Sequence, residues 1–448
     1  MGTPVVFNLG MGVDSVAALV ELLENPERRD FDLADLVVVT AQTGDEFKAT
    51  GRLIETHLFP LLREHKVRFV ELGRAAATVK ESGTGHNYVV LQDTRCPERL
   101  HLDGRYKLST EMLAAGTMPT TAGDRKCSLK AKGEVIDDWI TTDLLPHPDA
   151  PFRQMIGYEA NEVDRTKKDA KADAERKAGV LAAREKAAAK PAPKKPGKPK
   201  AVRVAKPTLL GRVAEFPLVA WGWDRAKCLD YLKARFGVTW LKSCCVYCPF
   251  SKGRPEILAR FRESPEEAVL GLWIEYVSMA FNPRLKLYGD TKGIKDVLTR
   301  DGNAAALALF AARVAATEGD WVVYRVRRLY KDICHADRHI GMVERGTRAE
   351  CEAAVGRLAV ERGGVAEEDA DGHIRAYLIR RADKPKPKRA KPGDPPAEKV
   401  RYEAVEEFLV AAPRVAIEKE ARGWTEEKWA AKIPLAMAGA ADDEPPCF

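Results

Sequence analysis

Gly10-Met11-Gly12-Val13-Asp14-Ser15 stands between an apolar run, Val5-Val6-Phe7-Asn8-Leu9, and a helical pattern that begins at Asp14. Glycines let a backbone come close to a phosphate, and the first turn of a helix offers N–H groups without intrahelical acceptors at the positive end of its dipole. Asp14 and Ser15 set a carboxylate and a hydroxyl beside those amides. A P-loop needs Gly-Lys-Ser/Thr, and this stretch has no Lys. A dinucleotide fingerprint needs a third Gly or Ala where Ser15 stands, and an acid about 20 residues further on. The acids that end the next strand, Asp45 and Glu46, come too late for it. On these residues alone, an anion-binding turn and an ordinary strand-to-helix turn both stay open.

Cys244-Cys245-Val246-Tyr247-Cys248 is the second chemically loaded stretch. One C-x-x-C supplies two thiolates, so a metal site needs further ligands from elsewhere in the chain. The nine cysteines are an odd number, Met1-Gly2-Thr3-Pro4-Val5-Val6 lacks the basic-then-apolar start of an export signal, and Val6 fails the Ser/Thr position of a myristoylation signal. A disulfide framework is therefore the poorer reading, and metal or redox chemistry the better one, with buried free thiols as the plain alternative. Cys334-His335 and His339 put two histidines at i and i+4, but without the Glu of a zincin helix they read as solvent-facing polar residues. Trp221 and Trp223 read as core residues before base-stacking platforms.

The elements that must position these residues alternate in type. Val5–Leu9, Leu36-Val37-Val38-Val39-Thr40-Ala41 and Val67-Arg68-Phe69-Val70-Glu71-Leu72 read as buried strands. Between them lie helical patterns, Asp14 to Glu24 (with Val16, Leu19, Val20 and Leu23 on one face) and Leu53 to His65. Such alternation predicts an α/β fold whose mostly parallel sheet carries helices on both faces and binds ligands at the carboxyl ends of its strands. Gln154 to Tyr158 reads as a further strand, and Arg225 to Phe236 as a helix. The α/β domain thus covers 1–165 and 208–252, interrupted by a Lys/Ala/Pro-rich insertion, 166–207, helical to about Lys190 and a low-complexity tether beyond. A helical region is expected over 253–319 and a small α+β unit over 320–381, with a strand from Trp321, a helix from about Thr347 to Arg362 and a strand at His373 to Ile379. A Pro/Lys-rich linker, 382–399, and a helical tail, 400–448, complete the expected order.

The net charge of +7 belongs to the tethered stretches. Residues 166–207 hold 14 basic against 4 acidic residues and 382–399 hold 6 against 3, which leaves the rest of the chain mildly acidic. That is not the basic face of a dedicated nucleic-acid reader, although a Lys-rich tether attracts polyanions in a salt-dependent way. No apolar run approaches the ~20 residues of a membrane-crossing helix. The expectation is a cytoplasmic chain with no membrane partner.

Five segments, in order, carry a family resemblance. Gly10 to Ser15 resembles the pyrophosphate loop of the adenine nucleotide α-hydrolase superfamily, usually Ser-Gly-Gly-Lys-Asp-Ser; Gly12, Asp14 and Ser15 match, while Gly10, Met11 and Val13 replace Ser, Gly and Lys. Thr43-Gly44-Asp45-Glu46-Phe47, Arg125-Lys126-Cys127-Ser128-Leu129-Lys130 and Ile156-Gly157-Tyr158 through Arg165 resemble segments of PAPS-reductase-like proteins. Phe216-Pro217-Leu218 with Trp221-Gly222-Trp223, then Lys242 to Phe250, resembles the closing segment of their phage and actinobacterial members.

The resemblance, over roughly residues 4 to 250, implies an enzyme that binds ATP with Mg2+, cleaves the α–β phosphate bond and adenylates a substrate. It implies nucleotide contacts at Leu9, Gly10, Met11, Gly12, Val13, Ser15, Thr43, Gly44 and Lys130, and catalytic roles for Asp14, Asp45 and Arg165. Asp14 and Asp45 could hold the magnesium, and Lys130, Lys132 and Arg165 read either as partners of phosphates or a nucleic-acid end or as plain surface charges. Related sulfur-transfer proteins hold a [4Fe–4S] cluster on similar cysteines, here Cys127, Cys245 and Cys248 with Cys244 as a further candidate, and zinc is the rival metal. The implied partners are an adenine nucleotide, a nucleic-acid or small-molecule sulfur acceptor and a sulfur-donor protein. Two alternatives keep the fold: reduction of phosphoadenylyl sulfate by thiols, although Pro445-Pro446-Cys447-Phe448 lacks the usual Glu-Cys-Gly surroundings, and a nucleotide- or nucleic-acid-binding module without turnover.

Overall fold

The computed structural model describes residues 2–76, 83–103, 107–121, 125–188, 208–289, 292–330, 336–381, 404–419, 426–427 and 429–431. Cys334, His335, Cys447, the second half of the insertion and the 382–399 linker lie outside them. The chain divides into two compact units, one of residues 1–111 and 122–248, the other of 112–121 and 249–448. No helix among the described residues is long and apolar enough to cross a membrane.

The first unit is an α/β sheet. Its strands are β1 (Val5–Asn8), β2 (Leu36–Gln42), β3 (Arg68–Arg74), β4 (Tyr88–Thr94), β5 (Phe152–Ile156) and β6 (Arg212–Glu215), in the spatial order β4-β3-β2-β1-β5-β6. All neighbours are parallel except the edge pair β3–β4. β1 lies between β2 and β5, so the chain winds away from it in both directions and opens a crevice at its carboxyl end.

Both faces of this sheet are buried, as continuous apolar strands require. Val5, Phe7, Leu36, Val38 and Phe69 pack with α1 (Val13–Glu24) and with α2, a helical run over 48–64 that contains the π turn Ile54–Leu58. Val6, Val37, Val39, Val70 and Leu72 pack with α3, a helical run over 126–144. Ten of the twelve α1 residues are buried, and each fully covered Leu or Val contributes roughly 1.5–3 kcal/mol. The insertion begins as α4 (Val163–Ala188), held to the sheet by Arg212, whose guanidinium reaches Asp169 at 3.0 Å, and by Arg184 on Asp149 at 2.7 Å. α5 (Pro217–Trp221) and α6 (Arg225–Phe236) follow β6, and Leu218, Trp223, Cys228 and Leu232 join the α1 core. Trp223 is thus a core residue, with Trp221 packed against it.

The second unit departs from the expected order at its end. Helices α7 (Pro255–Glu263), α8 (Pro265–Phe281), α9 (Ile294–Asp301) and α10 (Ala304–Ala315) precede β7 (Trp321–Tyr330), β8 (Ala336–Gly346), α11 (Arg348–Glu361), β9 (Ala366–Glu368) and β10 (Ile374–Ile379). The region expected as a helical tail instead supplies β11 (Ala404–Pro413), a strand between β7 and β10 in the antiparallel order β8-β7-β11-β10-β9. The helical region, the small α+β unit and this strand are therefore one folded unit. His339 lies on strand β8, not on a helix.

His373, at the mouth of β10, is fully buried and stacks on Tyr276 at 4.3 Å, its Nδ1 3.6 Å from Asp369. Burial lowers its pKa, against the pull of Asp369, with Arg375 also lowering it and Asp371 raising it. A lowered folded-state value means that stability is complete above the unfolded value of about 6.5 and is lost as pH falls below it. Asp369, held below the usual carboxylate range by His373 and Arg375, acts only in stronger acid. Between pH 7.5 and 5 the thermal midpoint of the wild type is expected to fall more than that of His373→Phe; parallel curves would show that this histidine does not carry the effect.

Candidate functional site

The loop after β1 is shaped by what surrounds it. Leu9 extends the sheet by donating its N–H to the Val39 carbonyl at 2.8 Å, and Gly10 is exposed. Met11 adopts φ +60°, fully buried, and its carbonyl accepts the Trp240 indole N–H at 3.2 Å. This left-handed residue turns the chain so that Gly12 becomes the N-cap of α1. Gly12 has no side chain to cap the helix, and its carbonyl accepts Val16 N–H and the Ser15 hydroxyl, each at 3.1 Å. The N–H groups of Val13, Asp14 and Ser15 have no acceptor among the described residues. Gly157, just past β5, closes the other side: a Cβ there would lie 2.7 Å from the Ser15 Cα.

Asp14 points from the first turn of α1. One oxygen accepts Arg225 Nη1 at 3.0 Å, while the other is buried without a partner among the described residues. Burial raises its pKa, opposed first by Arg225, with Glu162 and Glu159 raising it and Arg165 lowering it. Arg165, in the first turn of α4, bonds Glu162 at 2.6 Å and lies over the Tyr158 ring at 4.1 Å.

The end of β2 has a different character. Gly44 takes φ +74° and packs on Lys107, and Thr43 accepts Leu108 N–H at 2.9 Å through its carbonyl. Asp45 is buried with both oxygens engaged, one by the Ser109 hydroxyl at 2.7 Å, the other by Ser109 N–H at 2.7 Å and the Tyr247 hydroxyl at 2.6 Å. Glu46 is paired with Lys132 and accepts the Ser243 hydroxyl at 2.7 Å. The 240–248 segment is thereby fastened across the strand ends, through Trp240 on Met11, Ser243 on Glu46, Val246 N–H on the Asp45 carbonyl and Tyr247 on Asp45. Asp45, expected beside Asp14 on a metal, anchors this segment instead.

Cys245 lies 3.2 Å from the Thr43 hydroxyl, and burial, then Glu46, push its thiol well up. Cys245 and Cys244 lie within electrostatic reach of Lys132, and Cys245 and Cys127 within reach of Tyr247, so these thiols share one neighbourhood. Cys248 closes a turn onto the Cys245 carbonyl at 3.0 Å. Among the described residues no group of three or more His, Cys, Asp or Glu side chains is arranged to hold a metal ion. Lys130 is exposed on α3.

Arg225, Trp240, Ser243 and Ser109 are residues of this site that the sequence reading did not single out. Arg225 left one faint signal, a cation in the first turn of a helix, where acids are the favourable choice. No protein-family model matches the chain, and no curated protein or solved structure matches it either.

Proposed function

We propose that the Gly10–Ser15 loop grips the polyphosphate of an adenine nucleotide, and that the chain is a PAPS-reductase-like enzyme that cleaves the α–β phosphate bond of ATP to adenylate an acceptor. The observation that carries this reading is the unsatisfied donor set at α1: three N–H groups without acceptors among the described residues, beside a buried Asp14 oxygen without a donor among them. An anion is the natural complement of the first, and a cation of the second. A Cβ at Gly12 would face Ser243, 3.7 Å from its Cβ, so the β- and γ-phosphates would enter past the exposed Gly10. Asp14 would hold the Mg2+ that accompanies ATP, and that ion, when bound, neutralises phosphate charge. The amides, fixed by α1 in a buried helix, stabilise the negative charge that grows on pyrophosphate as the acceptor attacks the α-phosphate.

Sulfur transfer to the activated atom is the reaction that Cys127, Cys244, Cys245 and Cys248 suggest, with a nucleic-acid or small-molecule acceptor and a sulfur-donor protein. Among the described residues these thiols do not form a metal-ligand set. Metal analysis of anaerobically purified protein decides the matter: iron with sulfide supports a [4Fe–4S] centre and sulfur delivery, and stoichiometric zinc removes that delivery.

The full chain, given ATP, Mg2+ and candidate acceptors, is expected to release pyrophosphate, with Asp14→Ala at background. Wild-type release no higher than that of the variant, across acceptors, overturns the ATP-cleaving reading.

A further inference from the structure

We infer that Arg225 is the cation that receives the nucleotide's terminal phosphates, parked on Asp14 until they arrive. The inference rests on the nucleotide reading of the loop and names a residue that reading did not use.

The loop supplies no cation of its own. Met11 and Val13 are both fully buried in the α1 core, and Gly10 and Gly12 carry no side chain, so a positive charge has to come from another element. Two arginines are close enough to Asp14 to act on its charge. Arg165 is already committed to Glu162 and to the face of Tyr158. Arg225 has one side-chain partner among the described residues, Asp14 at 3.0 Å, and is nearly half exposed at 46%.

Its place on α6 is unfavourable for the helix. Arg225 is the first residue after the N-cap Asp224, and the first turn contains no acid, so the guanidinium sits at the positive end of the dipole. Helix stability therefore does not explain it, whereas α1 and α6 start side by side and bring Arg225 to the loop. The mouth carries Asp14, Glu159 and Glu162 against Arg165 and Arg225. When a divalent cation arrives with the nucleotide and takes Asp14, the guanidinium is freed, and its planar fork then bonds phosphate oxygens. The exchange leaves neither the carboxylate nor the arginine unpaired.

The test is equilibrium binding of ATP, ADP and AMP, each with Mg2+, to the full chain and its Arg225→Ala and Arg225→Lys variants, with thermal melts of all three proteins. Arg225→Ala is expected to weaken ATP and ADP by about tenfold or more, the loss typical of a charge-assisted hydrogen bond, and to leave AMP unchanged. Arg225→Lys is expected to recover part of the loss, because the charge returns without the fork. Unchanged ATP affinity in Arg225→Ala, or an equal loss for ATP and AMP, overturns the assignment, the second because it makes Arg225 a support for the loop alone. A wild type that binds none of the three nucleotides overturns the nucleotide reading itself, whatever the variants do.

Discussion

Gly157→Ala is expected to weaken Mg-ATP binding by about tenfold or more while the sheet stays folded. The added methyl would stand 2.7 Å from the Cα and 2.9 Å from the backbone nitrogen of Ser15. Those atoms belong to the first turn of α1, a helix buried along ten of its twelve residues, so they cannot swing aside as the tip of a flexible side chain can. Either the Ser15 amide tilts or β5 withdraws from β1, at the roughly 1–3 kcal/mol that overpacking a close contact costs. Both responses displace the N–H groups on which the proposed phosphate site depends. Gly179→Ala is the matched control: it sits in α4 with nothing within 4 Å of the added atom, and is expected to leave binding unchanged. Titration calorimetry on the two variants separates the cases, and an unaltered affinity in Gly157→Ala would mean that nucleotide does not touch this turn.

The strand, glycine turn and helix at the start of the chain were legible because their pattern is local. A short apolar run, two glycines and apolar residues at helical spacing specify a buried strand feeding a buried helix without reference to anything distant. The same holds for the charged helix α4 and for α11, where Thr347 and Glu350 form a capping box that the sequence displays. β11 was not legible. Ala404-Val405-Glu406-Glu407-Phe408-Leu409 is rich in good helix formers, and what makes it a strand lies elsewhere in the chain: Arg328 and Arg325 on β7 take Glu406 and Glu407 as partners, at 3.3 and 2.6 Å. Cross-strand ion pairs and burial on both faces overrule propensity there.

The site divides along the same line. Gly12, Asp14 and Ser15 announce themselves through spacing, but the Arg225 that pairs with Asp14 is 211 residues away, and no sequence pattern joins them. Asp45 misled for a related reason. An acid at the end of a parallel strand is a fair candidate for a metal, and only the fold reveals that Ser109 and Tyr247 have already taken its oxygens. The cysteines show how far spacing reaches: it gathers Cys244, Cys245 and Cys248, and it does not fix whether their sulfurs face a common point.

Glu275→Ala is expected to be the most damaging single change in the second unit, lowering its stability by about 3–5 kcal/mol. In the sequence this residue is a stray charge inside the apolar helix α8, between Ile274 and Tyr276. In the fold its carboxylate is buried and gathers three backbone N–H groups, from Leu287 at 2.8 Å, Ile294 at 3.0 Å and Lys295 at 3.2 Å. Gly293 belongs to the same arrangement, since a Cβ there would lie 2.5 Å from a Glu275 oxygen. Burial raises the carboxyl pKa and the three bonds lower it again, so the group is costly by itself and stable only with its donors. Truncation leaves those donors facing an apolar gap, each at a cost of about 1–3 kcal/mol before relaxation. Glu275→Gln keeps one acceptor oxygen but turns an amide NH2 toward backbone donors, so it should recover only part of the loss. Urea unfolding gives the size of the effect, and hydrogen exchange gives its place. The amides of Leu287, Ile294 and Lys295 should lose protection first in Glu275→Ala, and unchanged exchange at all three would show that the carboxylate is not what holds the turn before α9.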